Sequence, residues 1–353
     1  MATRRTFLKG LVASAGLPAA SWADAGHPAY LSAAQTPGGG YILCGLRSDG
    51  SLTFSLPLPD RGHAAAAHPH VPEAVAFARR PGTFALILDC MTGRVLHRLD
   101  APPGRHFYGH GAFLYEGDLL CTTENDIETG EGRIGLWARA AAYMRVGEIA
   151  SGGIGPHDIL HLPGANLLAV ANGGIRTHPD TGREKLNLNT MRPNLTIIGA
   201  DGSIFDQAAL PDDLYQNSLR HLAVNPAGEV ACAFQWQGDP FAAPPLLAVY
   251  RDGTLTLADM SEAENRALGG YVGSVAHSRD GREIAVTSPR GGVAYCLGPD
   301  LRAAAVHRQA DVCGVGATWD SFLLTDGLGQ VATFGEAAKS SHDLRWDNHL
   351  IAI

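Results

Sequence analysis

Five histidines recur at matching places in an otherwise apolar pattern: His63, His110, His157, His221 and His349, each at the head of a short hydrophobic run. Imidazole is the commonest side-chain ligand for transition metals and, with an ordinary pKa near 6.5, it also carries protons at neutral pH. About fourteen residues further on, a second apolar run closes on a polar residue: Arg79, Glu124, Asn172, Gln235, Ser288 or Asp326. The loops that follow carry Arg80, Asp126, Glu128, Arg176, His178 and Arg290.

These residue types support more than one chemistry. A metal centre would draw on His110, His157 and His221, and a zinc or iron site needs three or four ligands at about 2 Å from one point. Five histidines spread around a ring are not expected to reach one ion together. Arg79, Arg80, Arg176 and Arg290 suit bidentate capture of a small anionic ligand. Glu124 with a neighbouring histidine would make an acid–base pair for a lyase or hydrolase. No H-E-x-x-H, C-x-x-C-H or G-x-S-x-G stretch is present to select a metalloprotease, a haem attachment or a serine hydrolase. One histidine per repeat is also what a purely structural signature, or a protein-interaction platform, would show.

The spacing itself comes from a repeat. Apolar runs opening at His63, His110, His157, His221, Ser274, near Gly314 and at His349 each lead through a turn into a second run, and a third and fourth follow in most units. Four short strands in a unit of roughly forty to sixty residues describe a propeller blade. The fold expected is all-β, a seven-bladed β-propeller. Tyr41–Leu46 reads as a second strand with no first before it, Ser51–Leu56 as its third, and His349–Ile353 as the missing first strand. The last blade would then be closed by the N- and C-terminal strands together, leaving no open sheet edge. In such a blade the start of the first strand and the end of the second share one end of the channel. The five histidines, the polar strand ends and the long loops 172–193 and 235–245 are therefore expected at one mouth. Ser261 and Glu264 mark a capping box for a short helix over 260–268.

The remaining features set bounds. A net charge of −8 with no basic stripe argues against nucleic-acid binding. Thr3-Arg4-Arg5-Thr6-Phe7-Leu8-Lys9, the apolar run to Ala20 and Ala23-Asp24-Ala25 read as a twin-arginine signal peptide over 1–25, leaving a single domain over 26–353 in the periplasm. The six cysteines are spaced far apart and several sit within apolar runs, so buried free thiols are expected in place of disulfides.

Several stretches carry a family likeness. They include Gly109-His110-Gly111 with Thr123-Glu124-Asn125-Asp126, Ser151-Gly152-Gly153-Ile154-Gly155-Pro156-His157, and Asn172-Gly173-Gly174-Ile175 with Thr177-His178-Pro179-Asp180. Arg220-His221-Leu222-Ala223 and Thr287-Ser288-Pro289-Arg290-Gly291-Gly292 belong with them. On these motifs the chain resembles the domain of unknown function fifteen-thirteen family, exported bacterial proteins of propeller-like fold with no assigned reaction. The resemblance implies a role in periplasmic iron handling and names no ligand; joined to the histidine mouth, it leads to the expectation of a non-catalytic binding or scaffold propeller that takes a transition metal or haem. It also implies imelysin-like and dihaem-peroxidase-like proteins as partners. One departure is the extra His68-Pro69-His70 in the first repeat, which offers two more histidines for its channel position.

Overall fold

A computed structural model describes residues 20–79, 83–182 and 184–353. Most of the signal-peptide segment lies outside these residues, and so does Arg80. Seven antiparallel sheets stand around one axis as the blades of a propeller. Blades 1 to 6 each use four consecutive strands, the inner ones being Gly62–Ala67, Arg105–Leu114, Pro156–His161, Asn217–Val224, Ser274–His277 and Val312–Ala317.

Blade 7 joins the two ends of the chain, but one strand out of step with the sequence expectation. Its inner edge is Arg345–Trp346 and Ile351–Ala352, and these pair with Tyr30–Gln35, which is the second strand. Tyr41–Leu46 is therefore third and Leu52–Leu58 outermost. Tyr30–Gln35 carries Ser32 and Ala33-Ala34 where a stronger apolar run would announce a strand, and it is buried by its position between neighbouring blades.

The burial pattern explains why these sequences make blades. Middle strands such as Leu168–Ala171 and Val230–Ala233 are covered on both faces by adjacent sheets, so they are apolar without alternation. Their alanines let blades approach closely. Outermost strands such as Val95–Asp100 meet water and are mostly polar or half-exposed. The core accordingly lies between blades: Leu195 and Ile197 of blade 3, Val230 and Phe234 of blade 4, and Val286 and Tyr295 of blade 5 belong to one buried cluster. All six cysteines are buried and free. The short helix forms at Glu262–Ala267 with the Ser261–Glu264 capping box in place.

A belt of irregular pairing runs around the inner strands. Asn172 faces Pro156 and Ala171 faces Asp158, so His157 is an extra residue. Tyr108-Gly109-His110 oppose Thr123 alone, and His63-Ala64 oppose Phe77 alone. Arg220 is extra just before His221, and in blade 7 the pairing breaks between Trp346 and Ile351, around His349. A bulge bends its strand and re-aims the side chains beside it. His63 and His157 stand second in their strands, close to the openings the repeat suggested, whereas His221 lies inside Asn217–Val224 and His110 deeper than expected in its own strand. His110 is six residues into Arg105–Leu114, and all five sit at bulges down inside the channel.

Glu124 is a correction of another kind. It is fully buried within blade 2, where Arg145 of the outermost strand holds both carboxylate oxygens at 2.7 and 2.9 Å and Thr122 donates at 2.8 Å. Facing away from the axis, it serves the blade and forms no acid–base pair with a channel histidine. Arg145→Ala would strand this buried carboxylate, and we expect a loss of about 3 kcal/mol in denaturant unfolding, with the channel site unchanged. A loss below about 1 kcal/mol would show that Glu124 is not an anchor of the blade.

Candidate functional site

The bulges bring the five imidazoles into direct contact on the axis. Ring centroids of neighbours lie 4.6 Å apart for His63–His349, 4.7 Å for His110–His349, 4.9 Å for His110–His157, and 5.0 Å for His157–His221. One backbone position makes this crowding feasible. Gly109 has φ +99°, and a Cβ there would stand 2.7 Å from Cδ2 of His63. Only glycine combines that dihedral with that closeness.

The cluster is more than a packed plug because its nitrogens are sorted. His110 Nδ1 lies 2.9 Å from Asp158 Oδ1, and His157 Nδ1 lies 2.9 Å from the carbonyl oxygen of Arg220. A carbonyl can only accept, so His157 carries its proton on Nδ1 and turns the lone pair of Nε2 inward; the carboxylate of Asp158 favours the same tautomer in His110. This outer hold on Nδ1 is the arrangement that orients metal-binding histidines. Asp158 is itself held by the backbone N–H groups of Ile159 and Leu222 at 2.8 and 3.0 Å. His63 Nδ1 stands 3.6 Å from Asp347 Oδ1, too long for a hydrogen bond but close enough for charge, and Asp347 is clamped by Arg61 and Arg79 at 3.1 Å each.

Inside this shell, three overlapping groups each bring ligand atoms within 4.8 Å of one another: His63, His110 and His157; His110, His221 and His349; His63, Asp347 and His349. The Nε2 atoms of His63 and His110 are 3.3 Å apart and share a hydrogen bond, one donating to the other. Two nitrogens each about 2.0–2.1 Å from a tetrahedral ion would also stand about 3.3 Å apart. Among the described residues, neither ring nitrogen of His221 nor Nε2 of His349 has a hydrogen-bond partner, although both side chains are buried. An unsatisfied buried polar group costs about 1–3 kcal/mol, a cost that a ligand on these nitrogens would offset.

Burial also fixes the charge state. It pushes the pKa of His63 down to about 4 against the pull of Asp347, and that of His221 down to about 3. Burial, with neighbouring cations and imidazoles, holds His157 and His349 well below the usual histidine range. These four rings are neutral at pH 7, the form that binds metals. Burial would raise the carboxyls of Asp158 and Asp347, but facing histidines, and for Asp347 also Arg79 and Arg61, outweigh it and keep both ionised.

The plug separates two cavities. On the strand-opening side is a vestibule of about 180 Å³ whose floor is His63 and His157 and whose walls include Arg79, Tyr108, Thr177, Lys185 and Arg220. On the far side, His110 and Asp158 face a cavity of about 290 Å³ bounded also by Ile351 and Ala352. The long loop of blade 3 reaches the vestibule through Ile175, Thr177 and Lys185, as expected of a mouth loop.

The other candidates divide as follows. His110, His157 and His221 all join the cluster, His110 in two of the three groups. Asn172 spends its amide on Ser151, Asn194 and Thr196. Gln235 donates to the carbonyl of Val272, Ser288 to that of Leu268, and Asp326 accepts from Gln309, Leu328 and Gln330, so all three tie strand ends to loops. His178 caps a single 3-10 turn by accepting from the N–H of Asp180. Arg176 donates to the carbonyl of Glu128. Arg290 stacks on Tyr271, 4.5 Å from the ring centroid. His68 packs on Phe113 and His70 pairs with exposed Glu116, so His63 is the first blade's channel histidine. Asp158, Asp347, Lys185 and Arg220 were not singled out by the repeat. Asp158 follows a repeat histidine and Asp347 stands two before another, the one signal that could have found them.

Among known proteins, no curated protein matches the chain. Hydrazine synthase of Kuenenia stuttgartiensis is similar in structure, with a TM-score of 0.61 at 11% identity over 88% of this chain and 96% of that one. At that identity the likeness is one of fold. A family model described as "Protein of unknown function (DUF1513)" matches residues 56–353, from the outermost strand of blade 7 through every other blade to the C-terminus. That span contains all five channel histidines and both carboxylates behind them, and the chain belongs to this family.

Proposed function

We propose that this chain is an exported, non-catalytic binding propeller whose channel cluster holds a transition-metal ion. The observation that carries this reading is the sorting of the imidazoles: Nδ1 of His110 and His157 tied outward, Nε2 turned inward, and His63 Nε2 3.3 Å from His110 Nε2. Neutral imidazole donors suit zinc, copper, nickel or iron(II). Free ions fit better than haem, because rings packed at centroid distances of 4.6–6.3 Å leave no slot for a macrocycle. The same proposal includes twin-arginine export to the periplasm, in keeping with Arg4-Arg5 and with six buried free thiols that need no oxidant to fold. There the imelysin-like and dihaem-peroxidase-like proteins of iron handling would be its partners.

Calorimetric titration of metal-free protein with the chloride salts of zinc, nickel, cobalt and copper, and with iron(II) under anaerobic conditions, tests the reading. We expect one saturable site and a thermal shift equivalent to roughly 2.7 kcal/mol at a hundredfold excess over Kd. His63→Ala, His110→Ala and His349→Ala should each cost affinity, since each of these residues serves two of the three ligand groups, and Asp158→Asn should weaken binding about 10–100-fold. If none of these ions binds, or if His110→Ala binds like the wild type, the metal reading fails.

The depressed histidine pKa values also set a pH dependence. A buried ring that refuses a proton contributes stability that is intact above the unfolded value near 6.5. That stability is lost as pH falls through the folded values of about 4 for His63 and about 3 for His221. Metal-free protein should therefore lose several degrees of Tm between pH 6.5 and 4, and His221→Gln should flatten that slope. An unchanged slope in His221→Gln would show that the cluster does not drive the acid sensitivity.

A further inference from the structure

The extra histidines of His68-Pro69-His70 find their place at the far end of the channel. Pro69 and Glu116 both line the cavity of about 290 Å³ there, and His70 Nε2 lies 2.8 Å from Glu116 Oε2. His68 positions both partners. Its Nδ1 accepts from the backbone N–H groups of His70 and Val71 at 3.1 and 3.2 Å. Its other nitrogen packs against Gly117, where a Cβ would collide with Nε2. Gly117 also has φ +98°, so glycine is required on both counts. One buried ring thereby fixes a second imidazole and a carboxylate side by side at the rim.

The cavity connects this rim to the cluster. Its exposed lining, Pro69, Glu116, His161 and Ala352, marks the open end, and buried His110 and Asp158 mark the inner end. Alanines and glycines make most of the wall between, and no arginine or lysine lines it. Asp158 keeps capacity for a further partner. A carboxylate has about four lone-pair sites, and His110 Nδ1 with the N–H groups of Ile159 and Leu222 takes three, leaving one on Oδ2.

The other ways in suit a cation less. No carboxylate lines the vestibule. A third cavity reaches Asp347 past Arg61 and Arg345, balanced against Asp311, and Arg61 and Arg79 already hold Asp347 Oδ2. At the far rim, by contrast, an exposed pair such as His70–Glu116 is held weakly, so an incoming cation displaces it. Negative charge at a mouth also raises the local cation concentration.

We propose that the far cavity is the entrance for the channel's cation: His70 and Glu116 collect a divalent transition-metal ion at the rim, and Asp158 leads it down to His110. The entrance rests on the metal reading. Neither His70 nor Glu116 belongs to the ligand groups, so they govern how fast the ion arrives and leave its final affinity to the cluster.

Stopped-flow mixing of metal-free protein with cobalt chloride, read by the visible absorption of bound cobalt, tests the route. Glu116→Lys should slow association about tenfold at low salt, and the deficit should shrink in about 0.5 M sodium chloride. Ala352→Trp, which fills the open end with an indole, should slow association and dissociation alike. Both side chains are exposed, so the metal-free Tm and the equilibrium Kd should stay at their wild-type values. Lys185→Trp, at the vestibule, should leave the rates unchanged. A wild-type association rate in either Glu116→Lys or Ala352→Trp, or slowing in Lys185→Trp, overturns the route while cobalt binding itself stands. Faster dissociation and a weakened Kd in Glu116→Lys also overturn it, because Glu116 would then hold the bound ion. If wild-type protein takes up no cobalt at equilibrium, the metal reading fails and the entrance with it.

Discussion

A buried imidazole ring has one N–H and one lone pair to satisfy, and five such rings in contact cannot all be satisfied by one another. The structure resolves part of this by drawing protons outward. Asp158 and the Arg220 carbonyl each take an Nδ1–H, so the inner face of the cluster is left rich in lone pairs. The rest of the channel follows from that constraint. Bulges are needed to turn the rings to the axis, Gly109 to let His63 lie against the chain, and Arg61 and Arg79 to keep Asp347 charged in a buried setting. His221 remains unsatisfied at both nitrogens among the described residues. Natural proteins break local rules at functional sites and compensate elsewhere. Here the compensation is the continuous apolar packing between blades.

The blade count and the joining of the two chain ends were legible in the sequence, because a four-strand unit repeated from His63 onward cannot bury its faces alone. The strand order of blade 7 was not. Tyr30–Gln35 has no strong apolar signature, and its place is decided by the C-terminal strands it meets some three hundred residues later. The histidines were also legible, but their depth was not. Spacing between apolar runs locates a turn well, whereas a bulge adds a residue without changing the hydrophobic pattern. That is why His110 looked like a strand opening and proved to be an interior residue. Glu124 misled for a related reason. Successive strand residues face opposite sides of a sheet, and a carboxylate at a strand end gives no sign of which side it takes until its partner, Arg145, is known.

Likeness of fold carries little further. Hydrazine synthase shares the propeller at 11% identity, and propellers host unrelated functions on one scaffold. What distinguishes this chain is local: histidines in five of its seven blades, with two carboxylates directly behind them. Blade 5 pairs without interruption and blade 6 carries Cys313 at its bulge, so neither sends a ring to the axis. The cluster is therefore asymmetric, and its ligand groups lean toward blades 1, 2, 3, 4 and 7.

That asymmetry gives the channel a direction. His63 and His157 face the cationic vestibule, while His110 and Asp158 face the opposite cavity. A ligand entering from the vestibule meets positive charge first and neutral nitrogen second. One entering from the far side meets two carboxylates, Glu116 paired with His70 and Asp158 engaged by His110 and two backbone N–H groups, so the negative charge of the channel lies on that side of the plug.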